Sequence, residues 1–426
     1  MTKNIFIVGS DPFNLAQMRA LPDSCEYRFH SLIETPDIKC TDHFPVRKFL
    51  DHALARMRAF PGSVDAVVGY WDFPVSTILP LLRAPLGLPG PSLEAVLKCE
   101  HKYLSRMLQA EVIPDLLPRF CRVDPFSPTS RCPLEFPFWL KPVKSVCSHL
   151  GFRIDSEADF KTSLAVIREN IFRYAEPFNE FLDMAELPSW IRGVDGNFCI
   201  AESLISAGRQ CTLEGYVHRG ETEVYGAVDS IHDDDHPSCF TRYQYPSSLP
   251  GPVLSRMESA TRKIIAHIGY DDSPFNIEFY WNPARDAIRL LEINTRISKS
   301  HCPLFRMVDG RSHHAVMIET ALGRKPDFPL RRGRFNLAAK FMLRKFRDGM
   351  VRSVPGKRDV TALKTVFPEA EILIQVKPGQ RLSSLPEQDS YSYEIGVLYL
   401  GADSEQELLD KHRTARGMLP FVIDPV

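Results

Sequence analysis

No apolar run in this chain of 426 residues approaches the roughly 20 residues that a membrane-spanning helix needs. An excess of either charge is missing too. The formal net charge is −1, so no strong field would draw the protein to nucleic acid or to an anionic membrane. Ten cysteines are present, but no two stand as Cys-x-x-Cys, which argues against a zinc site and against a secreted disulfide scaffold. They read as reduced thiols, and the expected compartment is the cytoplasm. A Gly-x-Gly-x-x-Gly fingerprint is absent, so dinucleotide binding has no support. There is no internal repeat and no low-complexity segment. Met1 to Val8 passes straight into a strand pattern, so no signal peptide is expected before the fold.

What is present is the composition of an ordinary globular protein, with 44% hydrophobic and 25% charged residues, in a length that suits two or three domains. The most informative stretch is a pair of strand-like runs, Ser273 to Tyr280 and Ile288 to Arg296, alternating at period two around an Asn282-Pro283 turn signal. A hairpin centred near Arg285 sets Glu278 opposite Glu292 and Asn276 opposite Asn294. Alternation then gives one face Asn276, Glu278, Glu292, Asn294 and Arg296, and the other Ile277, Phe279, Leu291 and Ile293. Two facing carboxylates repel each other. A divalent cation between them removes that cost, and Mg²⁺ takes one or two carboxylates plus waters and substrate phosphates. Asn294 could add an amide oxygen and Arg296 could hold an anion. The alternative is a solvated face with scattered charge.

Along the chain, Ile5 to Val8 followed by Gly9 and an amphipathic stretch opens an α/β unit. A second strand is expected near Tyr27 to His30 and another over Asp65 to Tyr70. Asp72, at the carboxyl end of the latter, could touch a substrate, but the reading favoured is a helix cap. Ser92 is expected to cap a helix, and Lys102 lies on the next one, where alone it would be an ordinary solvated lysine. Phe138 to Pro142 reads as a strand carrying a lysine that wants an anion. A turn from Lys144 to Gly151, a strand Phe152 to Ile154 and a helix over Glu157 to Tyr174 follow. Residues 198 to 230 read as an antiparallel meander, and Ser255 to Ile268 as a helix. Asp233 to His236 reads as an exposed loop rather than a metal cluster. His313 and His314, adjacent on a helix, suit separate surface or substrate roles better than a metal pair. From about Pro326 the chain turns β-rich, with a strand at Glu394 to Leu400 and a closing helix over Ser404 to Met418.

In this order the pieces resemble the ATP-grasp superfamily, across essentially the whole chain. Gly90-Pro91-Ser92 with Lys102, the lysine strand Trp139-Leu140-Lys141-Pro142, the hinge-like Glu202-Ser203-Leu204-Ile205, and Glu278 with Glu292-Ile293-Asn294-Thr295-Arg296 carry the likeness. The last run is similar to that of biotin carboxylase, as is the β-rich tail. The resemblance implies a mixed α/β and α+β ATP-grasp fold. Residues 1–96 would form a Rossmann-like α/β domain, 97–327 the nucleotide-binding domain with a mobile lid over about 138–204, and 328–426 a β-rich C-terminal domain.

It also implies roles. ATP with Mg²⁺ or Mn²⁺ would be the cofactors. Lys102 and Lys141 would hold the α- and β-phosphates, and the turn Ser145 to Gly151, with Ser148 and Gly151, would close over them. Glu202, Leu204 and Ile205 would meet adenine, with Ile200 and Leu204 sandwiching its ring. Glu278, Glu292 and Asn294 would carry metal. Arg296 would orient the acceptor carboxylate, with Arg296 and Lys141 as the catalytic residues. Lys299, His301 and Arg311 are candidates for gripping substrate. The lid is poorer in glycine than the family pattern. Ile297 to His301 lacks the glutamine and glutamate that biotin carboxylases carry there, which counts against a bicarbonate substrate.

The activity implied is that of a carboxylate–amine ligase. ATP would activate a carboxylate as an acyl phosphate, and an amine, such as that of an amino acid, would then attack it, with ADP and phosphate released. Its partners would be small molecules, not nucleic acid or membrane, with room for a homodimer. The alternatives are an ATP-binding regulatory protein without chemistry, and a ligase with another acceptor such as a thiol.

Overall fold

The computed structural model of the protein describes residues 2–35, 38, 44–146, 149–233, 235–236, 239–385 and 392–426. The chain divides into two compact units. Met1–Tyr225, Pro250–Lys299 and His314–Asp327 form the first; Gly226–Leu249, Ser300–His313 and Phe328–Val426 form the second. Among the described residues no helix is long and apolar enough to cross a membrane.

The first unit opens as the α/β pattern predicts. Lys3–Ser10 lies between Tyr27–Glu34 and Ala66–Val68 in a parallel three-stranded sheet. Ile5, Ile7 and Val8 are fully buried, because a parallel sheet is covered on both faces and its central strand reads as a continuous apolar run. Ser92 caps the helix Leu93–Glu100 by accepting from the Ala95 amide, as expected. Only His101 separates it from the next helix, Lys102–Val112. His101 makes this abrupt restart work: its Nδ1 accepts from the Leu104 amide while Nε2 meets the Val194 carbonyl. Burial holds this imidazole neutral, with its pKa down at about 4.

A four-stranded antiparallel sheet follows, in the order Phe120–Val123, Cys199–Ser203, Phe138–Pro142, Phe152–Ile154. The two strands predicted at 138–142 and 152–154 stand as read. The helix expected over 157–174 is instead two, Glu157–Asn170 and Phe172–Asp183. The meander expected from residue 198 begins later: Cys199–Ser203 pairs within the four-stranded sheet, and Arg209–His218 pairs with Ser273–Asn282. Apolar strands of similar composition gave no local sign of which sheet each would join.

Between those two sheets the chain turns at Gly208, whose φ of +114° is disfavoured for residues with a side chain. A Cβ there would fall on the Trp281 carbonyl oxygen. Gly208→Ala is therefore expected to destabilise the protein by about 1–3 kcal/mol, seen as a lower midpoint in chemical denaturation. An unchanged midpoint would show that this turn is free to rearrange.

In the second unit, Phe240–Tyr245 pairs with Leu337–Lys345, which pairs with Tyr393–Ala402 and through it with Glu371–Ile374. Gly349–Ser353 and Val422–Pro425 make a separate pair. The β-rich tail is thus present, with helices Lys357–Val366 and Glu405–Gly417 added. Leu398, Leu400, Leu408 and Ala415 are fully buried in its core. The closing helix is capped by Ser404 through the Glu407 amide.

Candidate active site

The hairpin has the predicted register. Asn276 faces Asn294, Ile277 faces Ile293 and Glu278 faces Glu292. Beyond Glu278 the register slips by one residue, so Phe279 faces Leu290. This bulge corrects one assignment. Leu290, fully buried, takes the core place expected for Leu291, which is only half-buried. The Leu291 carbonyl oxygen accepts from Arg106 Nη2 at 2.7 Å.

Glu278 is held by Gln210, whose Nε2 donates to Oε2 at 2.8 Å, and lies 3.3 Å from Asn294 Nδ2. Burial first, and the charge of Glu292 second, push its pKa up to about 8. Two facing acids of which one is kept from ionising form a site that a divalent cation would relieve. Among the described residues no three His, Cys, Asp or Glu side chains gather as a ready-made cation cage. Two carboxylates suffice for Mg²⁺, which keeps waters and substrate oxygens as its other ligands. Asn294 Nδ2 also donates to Asn276 Oδ1 at 2.9 Å, while its own Oδ1 lies 3.4 Å from Arg296 Nη2. Asn276 Nδ2 donates to the Arg296 carbonyl at 3.0 Å, which fixes the end of the strand.

Arg296 has an unforeseen partner. Its Nη2 donates to Asp72 Oδ2 at 2.8 Å. Asp72 does not cap the following helix, Val75–Arg83, whose N-cap residue is Pro74 and which has no side-chain cap; Asp72 Oδ1 accepts instead from the Phe73 amide at 2.7 Å. The cap reading is therefore replaced by an ion pair. Burial opposes the charges on both groups, but the mutual attraction, with Lys144 3.8 Å from Asp72, holds the acid well below the usual carboxylate range and the guanidinium above its own.

The two lysines are also placed. Lys141 Nζ lies 2.7 Å from Glu202 Oε2, and Lys102 Nζ donates to the Ser145 carbonyl at 2.9 Å. Burial brings the pKa of Lys102 down to about 8, against the attraction of Glu292. Register puts Ile200 opposite Lys141, so Ile200, Lys141 and Glu202 share one face of the four-stranded sheet. Leu204 and Ile205 follow that strand as half-buried, irregular chain. Arg106, almost fully buried, gives Nε to Glu202 at 2.5 Å and Nη1 to Gln109 at 2.6 Å.

Burial acts to raise the Glu202 pKa, but Arg106 and Lys141 outweigh it and bring it down to about 2. A depressed acid contributes stability that is present above its unfolded value, near 4.5, and lost as pH falls through its folded one. The protein should lose stability of the order of 3 kcal/mol from this group between about pH 4.5 and 2. Glu202→Gln should lower the baseline and remove that part of the slope. Urea denaturation across this range checks it; an unchanged slope in the variant would refute the assignment.

A second ion pair escaped the sequence. Lys144 Nζ contacts Glu100 Oε2, and both side chains are almost fully buried. Glu100 Oε1 also accepts from Ser76 Oγ at 2.8 Å and Thr295 Oγ1 at 2.9 Å. Lys144 also lies 5.0 Å from the centre of the Phe73 ring. The only local signal was a second lysine three residues after Lys141.

The remaining candidates scatter. Ser148 lies outside the described residues. Gly151 is half-buried just before the strand Phe152–Ile154. Lys299 Nζ sits 2.7 Å from the centre of the Trp71 ring. His301 and Arg311 belong to the second unit, where His301 is buried edge-on to Tyr243. His313 and His314 are both fully buried, which corrects the surface reading. His313 stacks on Phe305, and burial keeps His314 neutral with a pKa near 3. In the loop expected at 233–236, Asp233 Oδ1 accepts from the His236 amide.

Compared by sequence with curated proteins, the chain matches none. Residues 134–302 match the family model of the ATP-grasp domain. Among solved structures, the chain is similar to an L-amino acid ligase from Bacillus licheniformis, with 15% identity, a TM-score of 0.69, and 99% of this chain and 98% of that one covered. It is similar to a phosphoribosylglycinamide synthetase from Anaerococcus prevotii at 12% identity and a TM-score of 0.65, over 100% of both chains. For a biotin carboxylase from Campylobacter jejuni the identity is 14% and the TM-score 0.63, over 100% of this chain and 93% of that one. The domain match and the shared fold agree with the resemblance read from the motifs: residues 134–302 carry an ATP-grasp domain, and the whole chain shares the fold of these solved structures.

Proposed function

We propose that the protein is an ADP-forming ligase that activates a carboxylate as an acyl phosphate and passes it to an amine. The observation that carries this is the register of Glu278 with Glu292 in a hairpin whose second strand ends at Asn294, two residues before Arg296. The full-length likeness to an L-amino acid ligase supports amino acids as the substrates. In this reading residues 1–96, 97–327 and 328–426 keep the roles expected from the sequence, with the lid over about 138–204.

Lys102 and Lys141 hold the α- and β-phosphates. Each ammonium has three donors, so contacts to Ser145 and Glu202 leave others for phosphate oxygens. Adenine lies along Glu202 to Ile205. Glu278, Glu292 and Asn294 would hold Mg²⁺, which would supply positive charge against the transferring phosphoryl group. Arg296 orients the acceptor carboxylate, whose oxygen attacks the γ-phosphorus in line as ADP departs. The amine then attacks the acyl carbon, an amide forms, and phosphate leaves. Closure of the lid keeps water from the acyl phosphate, whose hydrolysis would waste the ATP.

The test is ADP release with ATP, Mg²⁺ and pooled amino acids, followed by mass analysis of the product. Amide product formed in step with ADP supports the reading. ATP bound without ADP release under any pool would point to the non-catalytic alternative.

A further inference from the structure

One charged group near Arg296 has no task in that reaction. A guanidinium alone suffices to orient a carboxylate. Asp72, its direct partner at 2.8 Å, would repel the very group Arg296 is proposed to hold. The pair also belongs to a balanced set. Asp72 and Glu100 supply two negative charges, and Arg296 and Lys144 two positive ones. Glu100 is satisfied within the protein by Lys144, Ser76 and Thr295. Asp72 differs from Glu100: its side chain is 33% exposed against 4%, so ligand can reach it.

We propose that Asp72 is the acceptor for the α-ammonium group of an amino-acid substrate whose carboxylate is held by Arg296. This rests on the reading of Arg296 given above and narrows the carboxylate substrate to α-amino acids. The zwitterion takes the place of the direct ion pair, so one charge pair becomes two. Its own net charge is zero, and the four-group set stays balanced with every member paired. A plain carboxylate would claim Arg296 and leave Asp72 with a repelling neighbour and one cation fewer. Leaving a half-buried charge without its partner costs part of that attraction. The Phe73 amide, 2.7 Å from Oδ1, fixes the carboxylate of Asp72 while Oδ2 changes partner from guanidinium to ammonium. An amine held as ammonium has no lone pair to attack with. The first amino acid is thereby confined to supplying its carboxyl group, and the nucleophile must come from the second substrate.

The experiment is equilibrium dialysis of the full chain with Mg²⁺ and a non-hydrolysable ATP analogue, against two pools read by mass spectrometry. One pool holds the proteinogenic amino acids, the other the matching carboxylic acids without the α-amino group. The expected result is retention of at least one amino acid, with its des-amino partner bound about 10-fold more weakly, the scale of a hydrogen bond to a charged group. Asp72→Asn should abolish that discrimination, and Asp72→Glu, which keeps the charge, should restore part of it. Equal retention of the two pools by the wild-type protein, or of no amino acid at all, would overturn the proposal. So would undiminished discrimination in a folded Asp72→Asn variant. Should Asp72→Asn fail to fold, Asp72→Glu, which keeps the charge but displaces it, decides: undiminished discrimination in that variant would overturn the proposal. Amino-acid retention with the expected discrimination but no ADP release with hydrolysable ATP would sink the ligase reading and leave this one standing.

Discussion

Glutamine at position 292 is expected to cut ADP formation by about 10²–10³-fold while the protein stays folded. Glu292 lies directly opposite Glu278, and in the proposed mechanism the two acids share the metal. The substitution keeps the shape of the side chain and removes one of the two anions. It also removes the second cause of the raised Glu278 pKa, the first being burial, so Glu278 should ionise more readily and the metal-free fold should not suffer. Two readouts separate chemistry from folding. ADP release with varied Mg²⁺ should show a lost or strongly weakened metal dependence. Thermal unfolding in a chelator should show a midpoint no lower than that of the wild-type protein. Full activity in the variant would refute the metal assignment.

The second large effect concerns stability. Lys144→Met should destabilise the first unit by about 3–5 kcal/mol, because it strands Glu100 in a buried place without its cation. Ser76 and Thr295 would still donate to Glu100 Oε1, but neutral hydroxyls do not replace a charge. The double variant Glu100→Gln with Lys144→Met should recover much of the loss, since no uncompensated charge remains. Chemical denaturation of the two single variants and the double variant closes the cycle. A loss in the double variant equal to the sum of the single losses would show that the pair is not coupled.

These two residue pairs mark what could be read in advance. Glu278 and Glu292 were legible because a hairpin's register follows from alternation and distance to the turn. The strands at 138–142 and 152–154 were legible because breakers bound short apolar runs. The bulge after Glu278 was not, since the Leu291 carbonyl meets its partner, Arg106, 185 positions away. Nor was the Asp72–Arg296 pair, 224 positions apart, for which a helix cap was the better local bet. The helix Cys302–Asp309 has Pro303 in its first turn, where proline is welcome. His313 and His314 looked polar and hence superficial, but packing around Phe305 and Tyr70 buries both.

Arg106 ties three elements together. One planar fork grips Gln109 on its own helix, Glu202 in the four-stranded sheet and the bulged Leu291 in the hairpin. Such a fork is rigid, and none of its three grips can drift without straining the others. It therefore acts as a gauge block between the strand assigned to the base and the strand assigned to the cation. In the proposed function, the span that a nucleotide would bridge is thus set before it arrives, and its binding would not have to create it.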